Sequence, residues 1–113
     1  MNRSMVCVAW MALYSAMCTC SAAGAAPAKD ASYAVGIQNF AFVPKTITVP
    51  IGTRVVWTNR DEEPHVVTSA GAMFPSSKAL DTGDRYAFTF SKPGTYTYYC
   101  SIHPMMVGTI IVQ

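Results

Sequence analysis

The stretch "YYCSIHPMMVG", residues 98–108, carries three side chains with metal-binding atoms at equal spacing. Cys100 supplies a thiol, His103 an imidazole and Met106 a thioether. Alternation along the residues before the loop predicts a strand with Tyr98 and Cys100 on its inner face. The loop that follows returns the imidazole and the thioether to the end of that strand. Three different metal-binding groups are therefore expected at one point.

A fourth donor must come from elsewhere in the chain, and His65 is the other histidine. It follows Pro64 in the loop "NRDEEPH", after a predicted strand that contains Trp57. In a compact sandwich this loop and the loop after Cys100 can meet at one end. One thiolate, two imidazoles and one thioether form a soft donor set, unlike the four Cys/His ligands of structural zinc or the oxygen ligands of hard metals. This donor set predicts a copper site for one-electron transfer.

The first 25 residues have the order of a secretory signal peptide. A lone positive charge at Arg3 precedes an apolar run over residues 5–17, and small residues lead to a cleavage site after Ala25. A membrane anchor needs roughly 20 apolar residues, and this run is shorter. We therefore predict a cleaved signal peptide over 1–25, export to the periplasm, and no membrane span in the mature protein.

Cleavage changes the cysteine count, because it removes Cys7, Cys18 and Cys20 and leaves Cys100. A single thiol in an oxidising compartment is either a liability or a group held by something else. This favours a metal at Cys100. The alternative to a secretory signal peptide is a lipoprotein signal that ends at Cys18 or Cys20.

After a short lead-in over 26–32, apolar residues alternate with period two through residues 33–113. The pattern predicts an all-β fold, a Greek-key β-sandwich or barrel of about 7–8 strands. Only residues 76–80 suggest a helical turn. The alternating positions are Tyr33, Val35 and Ile37; Ile47, Val49 and Ile51; Val55, Trp57 and Asn59; Tyr86, Phe88 and Phe90; Tyr96, Tyr98 and Cys100; and Ile110 and Val112.

The constellation of "YYCSIHPMM" with the upstream His65 resembles the cupredoxins, the small blue copper proteins, and its spacing C-x₂-H-x₂-M is most similar to the amicyanin group. The plastocyanins and pseudoazurins share the ligand order. The resemblance implies a cupredoxin domain over 33–113 and one type 1 copper ion. Its expected ligands are His65, Cys100, His103 and Met106, with Met105 as the rival axial donor.

One position departs from the family pattern. The family commonly has an asparagine after the first histidine, and its side chain ties the two ligand loops together. Here that position is Val66, which cannot form such a hydrogen bond. The departure affects the expected rigidity and reduction potential of the site, and not the ligand set.

The implied function is a periplasmic, monomeric electron carrier that cycles between Cu(II) and Cu(I). Expected partners are redox proteins: a dehydrogenase, a cytochrome c, or a terminal oxidase or reductase. They would dock near His103, Pro104 and Met105, with Met73 or Phe74 as further candidates. Copper storage or delivery is the alternative function.

Other classes fit the sequence poorly. The formal charge is +2 without a basic cluster, so nucleic acid is not an expected partner. An enzyme would need a group that orients the Cys100 thiol, or further histidines for a second metal. An immunoglobulin-like module would need a second cysteine. The acidic run at residues 61–63 is predicted to be a solvated turn, or else to tune the field near His65.

Overall fold

Residues 31–113 are described by the structure, a computed structural model, and they form two four-stranded sheets packed face to face. The predicted all-β sandwich is confirmed. Its strands are β1 (Ser32–Gln38), β2 (Ala41–Val43), β3 (Thr46–Val49), β4 (Thr53–Asn59), β5 (Thr68–Ser69), β6 (Arg85–Phe90), β7 (Gly94–Tyr99) and β8 (Val107–Val112), with a 3₁₀ turn at Ala70–Ala72.

The connections bring the important loops to one end of the sandwich. One sheet has the order β2-β1-β4-β6 and the other β3-β8-β7-β5. The pairs β1–β4 and β3–β8 are parallel, and the remaining pairs are antiparallel. β7 and β8 form a hairpin in which Tyr99 pairs with Val107. The loop between them, and the loop after β4, contain the predicted donors.

Trp57 lies at the centre of the core. It is fully buried and stacks against Phe74, with ring centroids 6.0 Å apart. The prediction of Phe74 as a further candidate for the docking face is wrong, because its side chain is 4% exposed and packs into the core. Tyr33 and Ile51 alternate in sequence with buried neighbours, yet both are exposed, because they lie near a strand start and beyond a strand end.

The predicted signal peptide over 1–25 lies outside the described residues, as does most of the lead-in over 26–32. β1 begins at Ser32, the last residue of that lead-in. Residues 76–80 contain no helical turn. Within residues 31–113, no helix has the length and apolar character needed to cross a bilayer.

Tyr98 makes the stability of the fold sensitive to alkaline pH. Its side chain is 1% exposed, and burial raises its pKa to about 12. The unfolded chain ionises this phenol near pH 10, whereas the folded protein keeps it neutral until about pH 12. A raised folded pKa means that stability is complete below pH 10 and is lost between the two values. We expect the free energy of unfolding of the copper-free protein to fall by roughly 3 kcal/mol over this interval.

Urea unfolding at several pH values between 8 and 12 measures this loss. The Tyr98→Phe variant should lose much less stability over the same interval, since phenylalanine has no proton to release. Tyr99→Phe is the matched control, because it removes the neighbouring phenol and leaves Tyr98 in place. Equal alkaline losses in the Tyr98→Phe variant and the wild type would contradict the assignment.

Candidate metal centre

Three of the four predicted donors lie together at the end of the sandwich. The donor atoms of His65, Cys100 and His103 are all within 4.8 Å of one another. Within the described part of the chain, this is the one group of three or more Cys, His, Asp or Glu residues close enough to share an ion. His65 and Cys100 are fully buried, and His103 is partly exposed.

The loop from Cys100 to Met106 explains the spacing of three. It consists of two successive turns, in which the N–H of His103 donates to the carbonyl of Cys100 at 3.2 Å and the N–H of Met106 donates to the carbonyl of His103 at 2.9 Å. The N–H of Cys100 then closes the loop on the carbonyl of Met106 at 3.0 Å. A β-turn joins residues i and i+3, so each predicted donor occupies a turn corner.

The His65 loop is held by its backbone and by Asn59. His65 and Leu80 exchange backbone hydrogen bonds of 3.1 and 2.8 Å. The buried Asn59 amide donates to the carbonyls of Glu63 and Leu80, each at 2.8 Å, and its oxygen accepts from the N–H of Asp61. The loop is thus fixed at both ends. Asn59 was predicted only as an alternating strand residue, and sequence periodicity carries no signal for this bracing role.

Both imidazoles turn Nδ1 toward the thiol. Cys100 Sγ lies 3.9 Å from Nδ1 of His65 and 3.7 Å from Nδ1 of His103, and the two Nδ1 atoms are 3.2 Å apart. Donor atoms that share one ion at bond lengths of about 2.0–2.3 Å lie about 3–4 Å from one another. The three distances therefore fit a single ion between these side chains.

Asp61 determines which nitrogen of His65 is available. Its Oδ2 lies 2.8 Å from Nε2 of His65. Partial burial alone would raise the pKa of the Asp61 carboxyl, but hydrogen bonds from the N–H of Phe40, the imidazole of His65 and the N–H of Asn39 lower it below its ordinary value. An ionised carboxylate only accepts hydrogen bonds, so Nε2 of His65 carries the proton. Its Nδ1 is therefore the nitrogen that faces Cys100 and is available to a metal ion.

Val66 keeps one of the links between the two loops. Its backbone N–H donates to Cys100 Sγ at 3.3 Å, and this hydrogen bond joins the His65 loop to the sulfur. Its side chain packs against the core instead of reaching the other loop. The backbone contact is therefore present, while a side-chain tie of the kind an asparagine forms is absent at this position.

Met105 and Met106, the two candidates for the fourth ligand, differ in burial. Met106 is 2% exposed and belongs to the core, whereas Met105 is 78% exposed. Met106 lies at the buried end of the loop, where its backbone bonds to those of Cys100 and His103. Its thioether is therefore better placed than that of Met105 to serve as the fourth donor. This arrangement favours Met106.

Met106→Ala is expected to lower the free energy of unfolding of the copper-free protein by about 2–5 kcal/mol, because it removes a buried side chain and leaves a cavity. Copper binding should persist, since an axial methionine is a weak ligand and the other three donors remain. Urea unfolding and a copper titration measure the two effects. The control, Met105→Ala, should change stability by less than about 0.5 kcal/mol; a larger loss from Met105→Ala than from Met106→Ala would contradict this reading.

The chemistry of the donor set matches copper. Two imidazole nitrogens, a sulfur that accepts a backbone N–H and a buried thioether on the same loop as the sulfur are the combination found in blue-copper sites. Asp61 is the one carboxylate in contact with this group within residues 31–113, and it is turned to Nε2 of His65 and not into the centre. The residues present therefore fit one copper ion.

Exposed apolar side chains occur at this end of the molecule. Ile102, Met105 and Val107 are 50%, 78% and 37% exposed, and they flank His103 along the chain. Phe40, 48% exposed, contacts both imidazoles edge to face, with ring centroids 5.3 Å from His65 and 5.1 Å from His103. Phe40 was not predicted as part of the site, because it lies in a turn far along the chain from either histidine.

The comparisons agree with this geometry. A family model described as "Cupredoxin-like domain" matches residues 5–112. Amicyanin of Paracoccus denitrificans is 30% identical, over 79% of this chain and 71% of its own length. Plastocyanin of Prochlorothrix hollandica is 33% identical over 79% of each chain. A solved purple cupredoxin from Nitrosopumilus maritimus is 33% identical with a TM-score of 0.66, covering 71% of this chain and 98% of its own.

Both sequence relatives belong to the class of small copper proteins that the donor set indicated, and their family supports a blue copper protein that transfers electrons. The four side chains His65, Cys100, His103 and Met106 can form a type 1 site for one copper ion. The chain belongs to the cupredoxin-like domain family.

Proposed function

We propose that this protein is a periplasmic type 1 blue copper protein that carries single electrons between redox partners. The observation that carries the proposal is the convergence of Nδ1 of His65, Sγ of Cys100 and Nδ1 of His103 within 4.8 Å. These three residues would hold the ion, and Met106 would be its weaker fourth ligand. Copper, when bound, supplies a one-electron couple between Cu(II) and Cu(I).

The surrounding protein keeps the donors in place. Cys100 is fixed by the closed double turn and by the N–H of Val66, and His65 is fixed by Leu80 and Asp61. Side chains held in this way need little rearrangement when the charge of the centre changes by one. A small rearrangement favours rapid electron exchange, which is what a carrier requires.

The partly exposed His103 provides the point of electron entry and exit. It is the donor nearest to solvent, and the exposed Ile102, Pro104, Met105 and Val107 are close to it along the chain. An apolar surface around an electron-transfer ligand allows a brief encounter with a redox protein and release afterwards. We propose that this protein is a monomer and that its partner docks at His103, Pro104 and Met105. The partner is a dehydrogenase, a cytochrome c, or a terminal oxidase or reductase.

The location follows from the leader. Residues 1–25 have the order of a cleaved signal peptide, and residues 26–32 serve as a lead-in to the domain over 33–113. Cys100 is buried, and as a copper ligand it would be protected in an oxidising compartment. The proposal includes no catalytic turnover, because a copper oxidase or reductase requires a further metal centre, and residues 31–113 contain one such group.

The first test is the visible spectrum of the Cu(II)-loaded protein. An intense blue thiolate-to-copper band, bleached by ascorbate and restored by oxidation, is expected, with rapid electron transfer to a cytochrome c. Met105→Lys is the variant for docking: it should leave the spectrum unchanged and slow the transfer. Copper bound without the blue band, lost rapidly to a chelator and slow in electron exchange, would reject the carrier in favour of storage or delivery.

A further inference from the structure

Asp61 makes more contacts at this centre than a solvated turn residue would. Oδ1 accepts from the N–H of Asn39 at 2.7 Å, and Oδ2 accepts from the N–H of Phe40 at 3.0 Å. The same Oδ2 accepts from Nε2 of His65 at 2.8 Å. One carboxylate thus joins the β1–β2 turn to a proposed copper ligand, across more than 20 residues of sequence.

The turn that Asp61 holds is unfavourable by itself. Gln38 pairs with Ala41, so Asn39 and Phe40 form a two-residue hairpin loop. Their φ values are 52° and 54°, as a type I′ turn requires. Asparagine tolerates this left-handed region, but a bulky residue such as phenylalanine rarely adopts it, because its side chain crowds the backbone there. Two adjacent N–H groups that bind one anion stabilise the turn.

The position of Phe40 depends on this turn. Its ring stands almost perpendicular to both imidazoles, with interplanar angles of 90° for His65 and 89° for His103. It therefore limits rotation of both rings from the outside of the site. Asp61 acts on His65 directly through Nε2, and on His103 indirectly, through the backbone of Phe40.

We propose that Asp61 is a positioning residue for the copper centre, which holds Nδ1 of His65 toward Cys100 and keeps Phe40 against both ligand imidazoles. This inference rests on the proposed function. The negative charge of the carboxylate raises the basicity of the imidazole and favours the more positive Cu(II) state. Asp61 therefore lowers the reduction potential. The hydrogen bond between Asp61 and His65 does not involve the residue after His65, which is Val66 here.

The first arm of the test needs no copper. ¹⁵N chemical shifts of the His65 ring in the copper-free wild-type protein should show a single tautomer with the proton on Nε2. In Asp61→Ala the tautomers should become mixed, and Asp61→Glu should restore part of the preference. A wild-type His65 with its proton on Nδ1 would overturn the proposal, whatever the copper experiments show.

The second arm measures binding and potential. Asp61→Asn should weaken Cu(II) binding 10–100-fold, as expected for the outer hydrogen-bond partner of a ligand, with a smaller effect on Cu(I). Each tenfold loss of Cu(II) relative to Cu(I) binding corresponds to an increase of about 59 mV in the reduction potential. An unchanged potential and unchanged Cu(II) affinity in a folded Asp61→Asn variant would reject the assignment.

Glu62→Gln is the matched control, since Glu62 is exposed and its change removes one negative charge from the adjacent position. It should leave the His65 tautomer unchanged and shift the potential much less than Asp61→Asn does. Equal shifts in the two variants would mean that only long-range charge matters, and would overturn the positioning role. If the wild-type protein binds copper without a blue band, the proposed function fails, and the tautomer measurement still decides the role of Asp61.

Discussion

Cys100→Ser is expected to abolish the intense visible band of the Cu(II)-loaded protein and to weaken Cu(II) binding more than about 100-fold. This loss is larger than the one typically caused by removing a hydrogen-bond partner of a metal ligand. The band requires a thiolate on the metal, and a serine hydroxyl does not deprotonate at neutral pH. The exchange is otherwise small. Serine has nearly the same shape, and its oxygen can accept the hydrogen bond that the N–H of Val66 now donates to the sulfur.

Absorption spectra and a competitive chelator titration measure both losses. Urea unfolding of the copper-free variant provides the control, because a change in the ligand alone should leave stability within about 1–2 kcal/mol of the wild type. A blue band that survives in a folded Cys100→Ser protein would rule out Cys100 as the sulfur donor, and with it the proposed ligand set.

Much of the fold could be predicted because its longer strands are half-buried. Period-two alternation identified β1, β4 and β7, where Val35, Val55 and Tyr98 are buried as expected. β2 and β5 were not predicted, since strands of three and two residues are too short to show a period. Phe74 was misjudged for a related reason: an isolated apolar residue in a loop has no periodic neighbours, although the N–H of Phe74 bonds to Ser69 Oγ and the ring turns into the core.

The candidate centre was predictable to the extent that its residue types are rare. Only two histidines occur in the chain, and Cys100 is the one cysteine outside the predicted leader. Its supporting residues are common types whose role depends on contacts distant in sequence. Asp61 bonds to Asn39 and Phe40, and no local pattern indicates this. The Asn-Phe turn also lacks the glycine that usually announces a type I′ hairpin.

β8, which pairs with the strand that precedes Cys100, contains a glycine with no room for a side chain. Gly108 on β8 pairs directly with Tyr98 on β7, and the tyrosine ring covers it. A Cβ at Gly108 would lie 2.3 Å from Cζ and 2.4 Å from the phenol oxygen of Tyr98. The ring cannot move aside, because Trp57 and Phe42 pack against it with centroids 5.4 and 4.6 Å away.

Gly108→Ala should therefore lower the free energy of unfolding of the copper-free protein by about 3 kcal/mol or more, at the upper end for an overpacked core. At about 4–8 °C per kcal/mol, the melting temperature should fall by more than about 10 °C. Gly36→Ala is the matched control, since a Cβ there meets no atom closer than 3.7 Å, and its stability should stay within about 1 kcal/mol of the wild type. Similar melting temperatures for the two variants would show that Tyr98 can yield. The packing between β7 and β8 would then not be what fixes the end of the strand from which Cys100 and the proposed copper loop emerge.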